Sequence, residues 1–313
     1  MTNLNAQTKR RGLTVKTRKR IFIVVMLAYP VFHFLFFWIF VNFNSILLTF
    51  RRYVAFPSDR YPEVGWYFVD FENYRYIFDR FSVNQGFRQM IWNSLTYAVL
   101  NVGVMFPLSL LAAYILFKRV PASKFFRALF FLPSIIPMVV LTLAFKTSLD
   151  PIRGFVPAAL KAVGIGSPMF FGNAVFSQFS IYLFMIWSGL GYNIILLSSA
   201  MARLPIEVLE SGKLEGIGAP RELLQMVVPL IWPNITTMIV LGLISVFGVS
   251  LQPLMLSGGE LNKTIGLEIF LQSQGENNLS YPATLGLICS LIGAPVIVGI
   301  RTLLERFFQE ASY

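Results

Sequence analysis

The stretch LPIEVLESGKLEGIGAPRELLQMVVPL, Leu204–Leu230, decides how the rest of the chain is read. It holds four glutamates, one lysine, one arginine and three glycines, between two strongly apolar segments. A plain connector between apolar helices needs only a few residues. Ile206–Gly216 has helical character: Pro205 suits a first helical turn, and Glu207 suits the positive end of a helix. Val208, Gly212 and Gly216 recur at i, i+4 and i+8 and share a face, where two glycines would let another backbone come close. Glu207, Glu210, Ser211 and Leu214 fall on the neighbouring face. Gly216 and Gly218 end the helix, Ala219–Val228 restarts it, and Pro229 and Pro233 lead into the next apolar run. The expectation is a helix–turn–helix lying on a membrane surface and offering small residues and acids.

The setting is a membrane protein. Of the 313 residues, 56% are hydrophobic and 13% are charged, where a soluble domain carries about 25% charged residues. A spanning helix needs about 20 apolar residues. Six runs qualify, near Ile21–Ser45, Ile91–Leu116, Ala128–Phe145, Phe176–Ala200, Val227–Leu251 and Ala283–Ile300. Proline and glycine inside several of them are tolerated in membrane helices. The first run is too long for the apolar part of a signal peptide and no small-x-small cleavage site follows it, so it reads as a retained span.

Charge gives the orientation. The net charge is +11. Lys9, Arg10, Arg11, Lys16, Arg18, Lys19 and Arg20 precede the first span. Lys118, Arg119, Lys124, Arg127, Arg203, Lys213, Arg221, Arg301 and Arg306 fall in loops on the same side. Basic residues mark the cytoplasmic side, so both termini are expected inside. This sorting accounts for most of the basic excess through topology and attraction to membrane lipid, and leaves no call for nucleic acid. The segments are then a basic tail at 1–20, a first span at 21–45, an extracytoplasmic loop at 46–90, a membrane-embedded core at 91–306 containing the loop at 203–230, and a tail at 307–313. The outer loop is rich in aromatics, as an interfacial belt or packed cap would be. A short apolar helix is expected near Pro157–Val163. One cysteine, Cys289, and one histidine, His33, both in apolar runs, offer neither a disulfide nor zinc or redox spacing, so no metal site is expected.

The opening stretch resembles the EAA loop of permease subunits in binding-protein-dependent ABC importers, whose pattern is E-A-A, three residues, G, nine residues, I, one residue, L-P. Glu210-Ser211-Gly212 stands at E-A-A, Gly216 at G with Glu215 before it, Met226 at I, and Val228-Pro229 at L-P, with no insertion. Ser, Gly, Met and Val replace the more usual residues. Trp187–Glu210, Phe247–Gly259, YPATLGLICSLI and NSLTYAVLNVGVMFPLSLLAAYIL resemble other parts of the carbohydrate-importer branch, the maltose-type permeases, so the likeness covers about residues 90–306. Leu251-Gln252 departs from that branch's usual Phe-Asp.

The resemblance implies an all-α integral membrane protein with six transmembrane helices, a type I importer permease fold. It also implies a loop (Glu207, Glu210, Ser211, Gly212, Glu215, Gly216, Met226, Pro229) that docks on a cytoplasmic ATPase. Such importers use two permeases, two ATPase subunits and an extracytoplasmic solute-binding protein. The second permease is expected to be a different chain, as in most sugar systems. The chain has no G-x-x-x-x-G-K-[ST], so ATP and Mg would be held by the ATPase partner, and this subunit is expected to bind no cofactor and to be non-catalytic.

Polar residues within spans are candidates for a solute path, because lipid makes them costly. The fourth span carries Gln178, Tyr182, Trp187, Ser188, Tyr192 and Asn193; the fifth run carries Asn234, Thr236, Thr237, Ser245, Ser250 and Gln252. Trp187, Tyr192, Asn193, Ser245 and Gln252 are the path candidates, and a set of uncharged polar and aromatic groups suits a sugar or oligosaccharide. Interhelical hydrogen bonding is the competing role for each. A polyol or glycerol phosphate importer is the alternative within the family, although a phosphorylated solute calls for intramembrane cations and only Lys146 comes near. A self-contained secondary transporter is the alternative outside it. It calls for an intramembrane carboxylate and inverted repeats, and neither is evident in the spans.

Overall fold

The computed structural model describes residues 15–166, 168–275 and 279–307. Most of the basic tail, with Lys9, Arg10 and Arg11, and the tail beyond Phe307 lie outside the described residues.

The first helix, α1, runs Val15–Thr49 with π-helical turns at Phe34–Phe40. Its apolar window has no residue buried within the chain, and its last part, Val41–Thr49, packs against the last helix. The outer loop then forms a hairpin of β1 (Arg51–Val54) and β2 (Gly65–Phe68), antiparallel with Arg51 opposite Phe68, followed by α2 (Glu72–Val83). The aromatic excess read as a cap is used here: Phe50 lies within ring-contact distance of Phe68, Phe71 and Tyr74. Asn73, buried under the hairpin, donates to the carbonyls of Thr49 and Arg51. This small sheet is the one departure from an all-α chain among the described residues.

The second span, α3, runs Gln85–Phe117. The Asn84 side chain caps it by accepting from the Phe87 amide at 3.0 Å. Its middle, Asn101–Met105, is π-helical. The third apolar run is not one helix. α4 (Ser123–Ile135) and α5 (Met138–Ser148) meet at 106°. Ile136, at ψ 134°, is extended, because Pro137 clashes with a helical residue before it. A short surface helix, α6 (Phe155–Ala162), follows close to where the sequence placed it.

The fourth span, α7 (Ala174–Met201), is the central post. It packs on the second half of α3 and along α4. The approach to α4 depends on Gly191, where a Cβ would fall 2.1 Å from the Phe130 carbonyl oxygen. After α7 come α8 (Ile206–Leu214) and then α9 (Ala219–Leu230) and α10 (Trp232–Gly248), which meet at 80°. The fifth span therefore begins at Trp232, not Val227, with the break at Ile231 just before Pro233. It ends before Val249, so Ser250 and Gln252 fall outside it. Two short helices, α11 (Leu251–Ser257) and α12 (Ile265–Ser273), fold back against α5, α7 and α3, and α13 (Ser280–Phe307) closes the bundle.

Three apolar clusters hold this arrangement. One lies on the α8 side and joins Ala113, Leu116, Leu197, Met201, Leu209 and Val227. A second sits at mid-bundle around Tyr97, Ile181, Phe184 and Val246. The third joins α2, the start of α3, α12 and α13 through Ile77, Phe87, Ile265 and Tyr281.

Candidate functional site: the α8–α9 hairpin and the bundle above it

The hairpin is closed by backbone geometry. Gly216 follows the last turn of α8 in a left-handed conformation, φ +78°. Its amide donates to the Lys213 carbonyl at 3.0 Å, and the Ile217 amide donates to the Gly212 carbonyl at 3.0 Å. These are the two bonds of a Schellman motif. No heavy atom lies within 4 Å of the position a Gly216 Cβ would take. Gly216 is therefore required for its φ and not for close packing within the chain, and the shared face of Val208, Gly212 and Gly216 does not form, since Gly216 has left the helix.

Gly212 has the opposite role. It is buried, and a Cβ there would fall 2.7 Å from Met226 Sδ and 3.6 Å from Ile217 Cδ1. The thioether of α9, not a backbone, occupies the space the glycine leaves. The E-A-A position and the I position of the resembled pattern thus touch one another across the hairpin. Leu209 fills the same seam and belongs to the cluster that holds Leu223 and Val227.

The other face of α8 is open. Glu207, Glu210, Ser211 and Glu215 are exposed, and the two apolar residues among them, Ile206 and Leu214, are 63% and 90% exposed. A short helix with a buried seam, an acidic outer face and two uncovered apolar tips is built to be covered by something else. Pro229 lies half-buried at the far end of α9, at the bend into the fifth span.

Sequence reading missed what fastens α9 to the bundle. Glu222, in its first turns, is buried and paired with Lys118 at the end of α3. The Tyr114 hydroxyl donates to the Ala219 carbonyl at 3.0 Å, and the Lys118 ammonium lies 5.5 Å from the Tyr114 ring centroid. Lys118 had been assigned only to topology. The signal was present: Glu222 shares its helix stripe with Leu223, Met226 and Val227, so it had to be buried and had to find a cation.

Residues 105–310 match the model of a family described as binding-protein-dependent transport system inner membrane components. The chain belongs to this family. It is 27% identical over 234 residues to the probable ABC transporter permease protein YurN of Bacillus subtilis, covering 74% of this chain and 77% of that one. It is 22% identical over 268 residues to the arabinooligosaccharides transport system permease protein AraP of the same organism, covering 84% and 82%. Its fold is that of a permease in the crystal structure of a bacterial alginate ABC transporter bound to an alginate pentasaccharide-loaded periplasmic protein. The TM-score is 0.80 at 18% identity, over 95% of this chain and 98% of that one. The chain is thus an inner-membrane permease of the ABC importer type, with four helices long and apolar enough to cross the membrane, or up to six if each bent pair counts as one span.

Within the permease, the path candidates divide. Trp187 and Tyr192 are exposed on α7, at 42% and 58%, and Asn193 is half-buried beside Tyr192. Trp187 stacks on Phe145 of α5, with centroids 6.0 Å apart. Ser245 is exposed on α10 but bonds its own helix, donating to the Gly242 carbonyl at 2.8 Å. Gln252 is half-buried on α11, outside the span to which it had been assigned. Gln178 and Tyr182 are stitches: Asn262 donates to Gln178, and the Tyr182 hydroxyl donates to Thr96 at 2.7 Å.

The π-helical segment of α3 lies against the same two helices. A Cβ on Gly189 of α7 would fall 2.5 Å from Met105 Sδ, and one on Gly242 of α10 would fall 2.4 Å from Asn101 Oδ1. One helix, α3, therefore touches the path-bearing helices at its middle and grips α9 at its end. On the side away from the hairpin, buried Glu268 of α12 pairs with Lys263 at 2.6 Å and accepts from the Tyr281 hydroxyl at 3.2 Å. No sequence argument had drawn attention to this group.

Proposed function

We propose that this permease carries a sugar or oligosaccharide across the membrane as one of two permease chains, and that α8 is the element by which a separate ATPase subunit drives it. The observation that carries this reading is the hairpin: a glycine-closed turn presents Leu214 and Ile206 among Glu207, Glu210 and Glu215 on the side that the charge bias makes cytoplasmic. A soluble partner with an apolar, basic-rimmed groove is the complement of that surface. ATP and Mg belong to that partner, and an extracytoplasmic solute-binding protein delivers the cargo at the other face.

The cargo class rests on chemistry and on relatives. The exposed and half-buried path candidates are aromatic, amide and hydroxyl groups, which suit stacking and neutral hydrogen bonding to a pyranose. A relative is named for arabinooligosaccharides, and the solved neighbour is named for alginate. Against a phosphorylated cargo, Lys146 is engaged with the Met255 carbonyl at 3.4 Å and sits in α5 near its end.

The test is a mild-detergent pull-down of the tagged chain from its host. Co-purification of an ATPase, a second permease and a binding protein is expected, and the binding protein is then screened against saccharides. A lone chain that transports in liposomes without ATP would overturn the reading. Gln252→Leu is expected to alter uptake kinetics, whereas unchanged kinetics would make Gln252 a packing residue.

A further inference from the structure

We infer that the cavity beside α8 is a specific site for the headgroup of an anionic phospholipid. The cavity, of about 780 Å³, lies between the end of α3, the start of α4, the end of α7 and α8. Its charged lining is of one sign: Arg119, Lys124 and Arg127 line it and no Asp or Glu does. All three are exposed, and among the described residues none of them forms an ion pair.

One further feature suits an anion. The 13-residue helix α4 opens into the cavity at Ser123 and Lys124, and its N-cap, Ala122, provides no side-chain cap. The Ser123 amide donates to the Val120 carbonyl at 3.0 Å, and the rest of this positive end is left to face a negative ligand. On the α7 wall the cavity is lined by Ser198, 9% exposed, whose hydroxyl is enclosed within that wall.

The surroundings select a lipid over a soluble anion. Apart from Ser199, the remaining lining is apolar, with Leu116, Phe117, Ile195 and Leu209 among it. From the rim, α4 rises into the bilayer with Phe125, Leu129 and Leu132 exposed at 65%, 50% and 54%, a track for acyl chains. The site stands on the basic-rich, cytoplasmic side, where pockets between spans meet anionic headgroups. Ile206 and Leu209 of α8 form part of the wall, so an occupied cavity braces the hairpin from behind.

The test uses the full chain purified in mild detergent, titrated with short-chain phosphatidylglycerol, short-chain phosphatidylcholine and inorganic phosphate, and read by native mass spectrometry and thermal shift. Phosphatidylglycerol is expected to bind on the order of 100-fold more tightly than phosphatidylcholine, from three cations near the surface. Arg119→Gln/Lys124→Gln/Arg127→Gln should abolish that preference. These side chains are exposed, so the variant keeps its packed core. Lys16→Gln/Arg18→Gln/Lys19→Gln removes equal charge elsewhere on the same side and should keep the preference. Equal loss in both variants would reduce the effect to general surface attraction and overturn the site. Displacement of the lipid by millimolar inorganic phosphate would overturn the lipid assignment in favour of a soluble anion. Ser198→Leu, which adds bulk at the α7 wall of the cavity without changing charge, should weaken lipid binding, and unaltered binding there would place the lipid elsewhere.

Discussion

Substitution at Gly216 separates two reasons for a glycine at the hairpin turn. At φ +78° an L-residue costs about 1–2 kcal/mol. The hairpin has little with which to offset this. α8 has nine residues, a length at which an isolated helix is marginal, and the turn is closed by two backbone bonds of 3.0 Å each. Gly216→Ala should therefore lower the population of closed hairpin by about 5- to 30-fold relative to its open forms. Asn enters the left-handed region more readily than Ala, and a β-branched residue hardly enters it. Since no heavy atom of the chain lies within 4 Å of the added Cβ, coupling should rank Gly, Asn, Ala, Val. If the glycine instead permits close approach of the ATPase, side-chain size decides, and Ala should outrank Asn. The assay is the reconstituted transporter, read as ATPase retained on purification and solute moved per ATP hydrolysed. Ala equal to or better than Asn would refute the conformational argument, and Gly216→Asp with wild-type transport would remove the hairpin from coupling altogether.

Other substitutions probe how motion at the hairpin would reach the spans. Lys118→Met alone leaves Glu222 buried without its cation and should destabilise the purified protein by about 3 kcal/mol. Lys118→Met with Glu222→Leu should recover most of that in thermal unfolding, while solute moved per ATP stays low if the pair transmits motion; full recovery of coupling would leave it a structural tie. Gly191→Ala drives a Cβ to 2.1 Å from the Phe130 carbonyl oxygen, so α4 must move off α7, and the melting temperature should fall by several degrees; an unchanged melting temperature would contradict the close crossing. Gly212→Ala crowds Met226 Sδ, the flexible end of a side chain, so Gly212→Ala combined with Met226→Ala should couple better than Gly212→Ala alone.

What could be read in the sequence was whatever a period or a spacing encodes. Four of the six apolar runs are continuous helices because their length and hydropathy suffice to define them. The third was misread because composition alone does not distinguish a spanning helix from two halves joined at Ile136-Pro137. The proline was visible, but its restraint on the preceding residue is local, and membrane helices elsewhere tolerate proline: Pro295 lies inside α13 without breaking it. The fifth run was misplaced for a related reason, since Trp232-Pro233 starts a new helix at 80° to the old one. The hairpin was legible down to its two glycines, though not their division of labour, because φ and packing leave the same letter in the sequence. The Lys118–Glu222 pair was missed because its partners stand far apart in the chain and a lysine before a cytoplasmic loop already had an explanation.

The same limit applies to the solute path. Polar residues in spans are few enough to enumerate, but their roles depend on what each one meets. Gln178 and Tyr182 share the fourth span with the path candidates Tyr192 and Asn193, but are engaged with Asn262 and Thr96. Ser245 is exposed yet bonded to its own helix, which lowers the cost of a hydroxyl in a span without any solute. By this criterion Trp187, Tyr192 and Asn193, on consecutive turns of α7, are the stronger candidates. The π-helical part of α3 is seated on Gly189 between them, and π-helical segments often mark functional sites. A shift of α3 at its Lys118 end would therefore be felt where Tyr192 and Asn193 stand, through Met105 and Gly189. Gly189→Ala should then impair transport more than ATPase assembly, while an equal loss of both would point to misfolding instead of a mechanical link.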